Sequence, residues 1–129
     1  MLAYLLDENI SFVVAEQLGR KNPQIVVHSV CRWRGGVFLG QEDGHLLRTA
    51  AQEGLTLVTY DLKTIPPLLG EIAAEGEQHS GVVFVDHAVI RSSGFGGLVS
   101  ALLAHWDLYA SEAWDNRIGY LKPISRTEI

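Results

Sequence analysis

Two aspartates of this chain stand at the ends of short apolar runs. Asp7 closes the first, in Leu5-Leu6-Asp7-Glu8-Asn9, and Asp61 closes another, in Leu57-Val58-Thr59-Tyr60-Asp61. A third, Asp43, opens the helical segment that feeds the run ending at Asp61. In an open α/β sheet, ligands bind beyond the carboxyl ends of the strands, where the strand order reverses. A helix returning towards the start of the next strand begins at that same rim. The spacing therefore predicts that Asp7, Asp43 and Asp61 meet in one place. Asp86, which ends the run Val83-Phe84-Val85, either joins them or falls one strand too far away.

Such a gathering needs compensation. Two carboxylates about 4 Å apart repel by roughly 4 kcal/mol at an effective dielectric near 20, and one would ordinarily take up a proton. A hard divalent cation, Mg²⁺ or Mn²⁺, removes the cost, because such ions take oxygen ligands and keep several waters. The chemistry open to that arrangement is hydrolysis at phosphorus, with an activated water and an in-line displacement. Lys63 stands beside Asp61 as a candidate phosphate contact.

The elements that must position these residues read as alternating strand and helix. Short apolar runs lie at Leu2 to Leu6, Gln24 to Val30, Leu55 to Tyr60 and Gly81 to Asp86, and three of them have the continuous hydrophobicity of parallel strands covered on both faces. Between them, Ser11 caps a helix carrying Val13, Val14 and Leu18, with a stop at Gly19. Leu46, Leu47, Ala50 and Ala51 form the buried stripe of a second helix ended by Gly54. A third starts at Pro66-Pro67 and runs towards Glu77, and a fourth spans Leu98 to Tyr109. Ile118 to Leu121 is a last short strand. The fold expected is three-layer α/β/α with a mainly parallel sheet of four to five strands, occupying 1–122, with 123–129 as a tail. The segment from Arg32 to Gly40, where Gly35-Gly36 and Gly40 surround Phe38, is expected to be the most mobile region.

Composition narrows the class. At 129 residues, with 47% apolar and 19% charged residues, the chain fits one globular domain. A formal net charge of −5 is not that of a protein that coats DNA, although a bound metal would reverse the sign of a local acidic pocket. Cys31 is the only cysteine, which leaves no intrachain disulfide and points to a reducing, cytoplasmic compartment. No apolar stretch approaches the roughly 18 residues of a membrane span. Arg32-Trp33-Arg34 combines charge with a ring suited to single-stranded RNA, or else is a solvated loop with one anchored tryptophan.

The run Leu5 to Ser11, and the stretch from Asp43 through Leu46, Ala50, Gly54 and Leu57 to Thr59-Tyr60-Asp61, together resemble the PIN-like domain proteins. The likeness is to their short family of uncharacterised function, related to VapC-type toxins, and Asp115 to Leu121 looks like its final strand. That resemblance implies a metal-dependent ribonuclease with RNA as substrate, an antitoxin protein as possible partner, and a possible homodimer. It implies Asp7, Asp43 and Asp61 as metal ligands and catalytic groups, with Asn9 and Thr59 as supporting polar residues. The sequence departs from the pattern in two places. It lacks the middle helix that carries a further acid in fuller PIN domains, where Glu8 or Glu42 would substitute as a metal ligand, and Leu62-Lys63-Thr64 follows Asp61 where a second aspartate and a phenylalanine are common. Two other readings stand beside this one: a PIN-like module that binds RNA or protein without cutting, and a phosphoacceptor receiver domain.

Overall fold

A computed structural model describes residues 1–124 of the chain; Ser125 to Ile129, most of the expected tail, lie outside the described residues. Five parallel strands form one sheet: β1 (Tyr4–Leu6), β2 (Val27–Ser29), β3 (Thr56–Thr59), β4 (Val82–Phe84) and β5 (Ile118–Tyr120), in the order β2-β1-β3-β4-β5. Four α-helices connect them: α1 (Phe12–Lys21), α2 (Asp43–Glu53), α3 (Ile65–Ala74) and α4 (Phe95–Tyr109). The architecture is three-layer α/β/α, as the alternation of patterns predicts.

Side-chain alternation along each strand feeds two separate cores. Tyr4, Leu6, Val58 and Val83 face α1 and α4, where Val14, Leu18, Leu98, Leu102 and Trp106 close the layer. Leu5, Leu57, Val82 and Phe84 face the other way, onto Leu46, Leu47 and Ala50 of α2 and Ile65, Leu69 and Ile72 of α3. Leu57 is fully buried; a side chain of that kind contributes about 2 kcal/mol by leaving water.

The layers also reveal a feature of the connections. The path from β1 to β2 runs one way along the sheet with α1 on one face. The paths from β2 to β3 and from β3 to β4 run the other way with α2 and α3 on the opposite face. These three crossovers therefore share one hand. The last, β4 to β5, keeps the second direction but carries α4 back to the face of α1, so its hand is the opposite one, in a class of connection where right-handed turns dominate overwhelmingly. Packing supplies the reason: without α4, a lone helix would have to cover that whole face.

Element boundaries shift from expectation in instructive ways. Ser11 does cap α1, its hydroxyl accepting from the Val13 N–H at 3.2 Å. The helix then passes through Gly19 and ends at Lys21, with the N–H of the capping residue Asn22 still reaching Leu18 O. Gly19 meets no neighbour there, so its cost is only the glycine propensity, outweighed by the packing of Val14 and Leu18. Gly54 does stop α2, with φ at 68°. Strand β2 shrinks to Val27–Ser29, and α3 ends at Ala74 rather than near Glu77. Within Arg32 to Gly40, the stretch expected to be mobile, the chain makes a tight turn (Trp33–Gly36), and Trp33 and Phe38 stack with ring centroids 5.0 Å apart, both rings buried. Trp33 is thus the anchored tryptophan of the two alternatives, not an open stacking platform.

Candidate active site

Strand order reverses between β1 and β3: the chain leaves β1 in one direction and returns past it to form β3 on its other side. That is the switch point at which open α/β sheets bind ligands. Asp7 follows β1 directly, and its N–H bonds to Val58 O of β3, so its backbone is held by the sheet itself. Its side chain is 5% exposed. One carboxylate oxygen, Oδ2, accepts from the Thr59 hydroxyl at 2.6 Å, and the other, Oδ1, accepts from the Glu8 N–H at 2.8 Å. The same Thr59 hydroxyl accepts from the Asp61 N–H at 3.0 Å. A single buried hydroxyl at the end of β3 therefore ties the two aspartates to one another.

Asp61 begins the turn into α3. Its Oδ1 accepts from the N–H groups of Lys63 at 3.0 Å and Thr64 at 2.8 Å. Partial burial works against ionisation, but these two N–H groups, with the Lys63 charge nearby, win and hold its carboxyl below the ordinary aspartate value. The Thr64 side chain adds a further hydrogen bond to the same carboxylate. Asp43 sits in the first turn of α2, half-buried. Desolvation raises its pKa, and so do the charges of Asp7, Asp61 and Glu8, even though a helix N-terminus favours a carboxylate. Asp7 is raised as well, first by burial, against the bonds from Thr59 and Glu8 N–H, with the charges of Glu8 and Asp61 adding to the rise. The three aspartates and Glu8 thus share one electrostatic field at the carboxyl end of the sheet.

The other candidates fall into place around that field. Lys63 is exposed beside Asp61, on the β3 side of the acids. Asn9 is exposed in the turn that follows Asp7, where Ile10 N–H bonds back to Asp7 O. Glu8 is exposed, and its Oε2 accepts weakly from Gly40 N–H at 3.4 Å, which links the acids to the loop after β2. Glu42 is the exposed N-cap residue of α2 and is not among the charges acting on Asp7 or Asp43. Nor is Asp86. It follows β4, one strand beyond β3, and its Oδ1 accepts from Ala88 N–H at 2.8 Å in a local turn. Arg32 and Arg34 lie after β2: Arg32 over the Phe12 ring and paired with Glu16, Arg34 over Trp33 and paired with Glu53.

The donor set is all oxygen, which suits a hard cation. Among the described residues no three His, Cys, Asp or Glu side chains are drawn close enough together to hold a metal ion between them. Mg²⁺ is commonly held by one or two carboxylates with water completing the shell. Asp43 and Asp61, whose charges act on one another at this rim, are the carboxylates of the right chemistry for that lighter demand, with Asp7 behind them. The sequence signal for Asp7, Asp43 and Asp61 was strong because each closes a strand or opens a helix. The linking role of Thr59 depends on which way a β3 side chain faces at the strand's end, and a strand buried on both faces has no polar alternation to show it. Compared with known proteins, the chain matches no family model, no curated protein and no solved structure.

Proposed function

We infer that this protein is a PIN-like, Mg²⁺- or Mn²⁺-dependent ribonuclease, of the kind that acts as the toxin of a toxin–antitoxin pair. The observation that carries the reading is the Thr59 hydroxyl, which donates to Asp7 Oδ2 and accepts the Asp61 N–H, tying two aspartates from separate segments together at the switch point of the sheet while Asp43 opens α2. Acids gathered in this way repel one another, a cost that clusters at functional sites.

Asp43 and Asp61 would hold the cation, with Asp7 and Glu8 completing the negative field around it. When bound, the ion supplies positive charge to a phosphodiester and acidifies a water beside it. The chain's own residues do the positioning. Thr59 locks the Asp7 carboxylate by donating to Oδ2 and fixes the Asp61 backbone by accepting its N–H. The turn N–H groups of Lys63 and Thr64 fix the orientation of the Asp61 carboxylate through Oδ1. Lys63 is a phosphate contact on one flank. The receiver-domain reading loses support because the fourth strand is followed by Asp86, engaged in its own turn, where such a domain wants a hydroxyl.

The test is cleavage of single-stranded RNA with Mn²⁺ or Mg²⁺ by the wild type and by Asp7→Asn and Asp61→Asn. Cleavage abolished in both variants supports the proposal. Cleavage unchanged in them assigns it to a contaminant and ends the catalytic claim. RNA bound but never cut would leave the binding module as the better account.

A further inference from the structure

A substrate that is a polyanion must approach four carboxylates, so the rim needs cationic and stacking groups to receive it. One cavity meets that need. It lies between α1 and the β2 edge, has a volume of about 370 Å³, and includes Phe12, Glu16, Ser29, Arg32 and Arg34 in its lining. Resting on the ribonuclease reading above, we propose that this cleft is a subsite for one nucleotide of a single-stranded RNA, next to the carboxylates on the β2 side.

Position is the first argument. Ser29 is the last residue of β2 and pairs in register with Leu6, the residue before Asp7. The loop that follows β2 touches the acidic turn twice, through Cys31 Sγ to Glu8 O at 3.5 Å and through Gly40 N–H to Glu8 Oε2. Because β1 lies between β2 and β3, the cleft and Lys63 flank the aspartates on opposite sides. A strand of RNA crossing the rim would meet Lys63, the acids and the cleft in turn.

The chemistry of the lining is the second. Arg32 sits over Phe12, its guanidinium carbon 3.5 Å from the ring centroid, yet its side chain is 62% exposed. Guanidinium planes held in this way stack on nucleobases. Its pairing with Glu16 is a single contact at 3.3 Å, an exposed ion pair of the kind that exchanges readily, leaving most of the five N–H donors for phosphate. Arg34 projects from a residue in the left-handed region, φ 51° and ψ 44°, a conformation that non-glycine residues keep where their surroundings enforce it.

Ser29 is the third. Its hydroxyl is buried and has no hydrogen-bond partner, one of two such side-chain groups among the described residues. A buried hydroxyl left unpaired is costly, and a ligand that supplies a partner recovers the loss. A ribose hydroxyl both donates and accepts, and it is the group by which proteins distinguish RNA from DNA. Ser29 thus becomes the residue that reads the sugar, while Arg32 takes base and phosphate.

The experiment measures binding without catalysis. Fluorescein-labelled oligouridylate, and deoxy-oligouridylate of equal length, are titrated with full-length protein in EDTA at low ionic strength, read by fluorescence anisotropy. Arg32→Ala should weaken RNA binding by about fivefold or more and flatten the salt dependence by roughly 0.7 in the log–log slope. Arg32→Lys should restore the slope and not the stacking part of the affinity. Ser29→Ala should erase the preference for RNA over DNA. Affinity that is absent in the wild type, or unchanged in Arg32→Ala and Ser29→Ala, overturns the subsite. Because the readout needs no metal, cleavage lost in Asp61→Asn with binding unchanged in Arg32→Ala sinks the subsite alone, and intact binding with no cleavage sinks the nuclease alone.

Discussion

Thr59→Val isolates the bridge between the two aspartates. Valine has the shape of threonine, so no cavity opens at a position that is fully buried. What disappears is the donor to Asp7 Oδ2 and the acceptor for Asp61 N–H. A hydrogen bond to a charged group contributes roughly 1.5–3 kcal/mol, and an orphaned backbone N–H costs about 1 kcal/mol more, less whatever water restores at half-buried Asp61. The expected loss is about 2–4 kcal/mol, a Tm lower by about 10 °C in a chain of this size. Thr59→Ser keeps the hydroxyl and gives up one methyl group, at about 1 kcal/mol. Urea melts of the two variants should therefore separate clearly, with Val the weaker. Mn²⁺ titration by calorimetry should show Val reduced by about 10–100-fold, since the partner that orients a ligating carboxylate has gone. The bond favours ionised Asp7, so the gap between Val and Ser should narrow as pH falls below the carboxylate range. Serine as damaging as valine, in melts and in titration, would refute the bridge.

Other outcomes follow from the same contacts. Asp7 and Asp43 have raised pKa values, so the metal-free fold is most favoured while they are protonated and loses stability as pH rises through their folded values; at pH 7 saturating Mn²⁺ should raise Tm, and Asp43→Asn should shrink that rise while itself stabilising the apoprotein. His105 behaves in the opposite sense. Burial, with Arg117 nearby, lowers it from 6.5 to about 4, and its Nδ1 lies 2.6 Å from the Tyr4 hydroxyl. That stabilisation is complete above the unfolded value and is lost as pH falls from about 6.5 towards 4, amounting to about 3 kcal/mol; His105→Phe should flatten this part of the pH–stability profile. Gly81→Ala should destabilise by about 3 kcal/mol or more in a urea melt, because φ is +94° there and a Cβ would sit 2.5 Å from Trp114 O.

No helix among the described residues is long and apolar enough to cross a membrane, in keeping with hydropathy that alternates with charge along the chain. What could be read from residues alone was whatever depends on local order. Continuous apolar runs separated by helical stripes announced a parallel sheet, since a strand covered on both faces has no polar side to alternate. Gly54 and Ser11 marked helix ends through backbone and capping chemistry that acts within a few residues. Asp7, Asp43 and Asp61 were legible because the rim at which strands end and helices begin follows from connectivity, before any packing is known.

Tertiary structure decided the rest. Whether Asp86 belonged with the acids turned on which strands are neighbours, a long-range choice that left β4 one strand beyond β3. Trp33 could have faced solvent or core, and only its stacking on Phe38 settled the matter. Gly19 reads as a stop in isolation, yet the burial of Val14 and Leu18 carries α1 through it. Ser29 looks ordinary in sequence; its unpaired hydroxyl exists only because β2 packs against β1 and α1. Local chemistry names the residues able to react, and distances between segments remote in the chain determine which of them act together, because those distances come from burying two apolar faces at once.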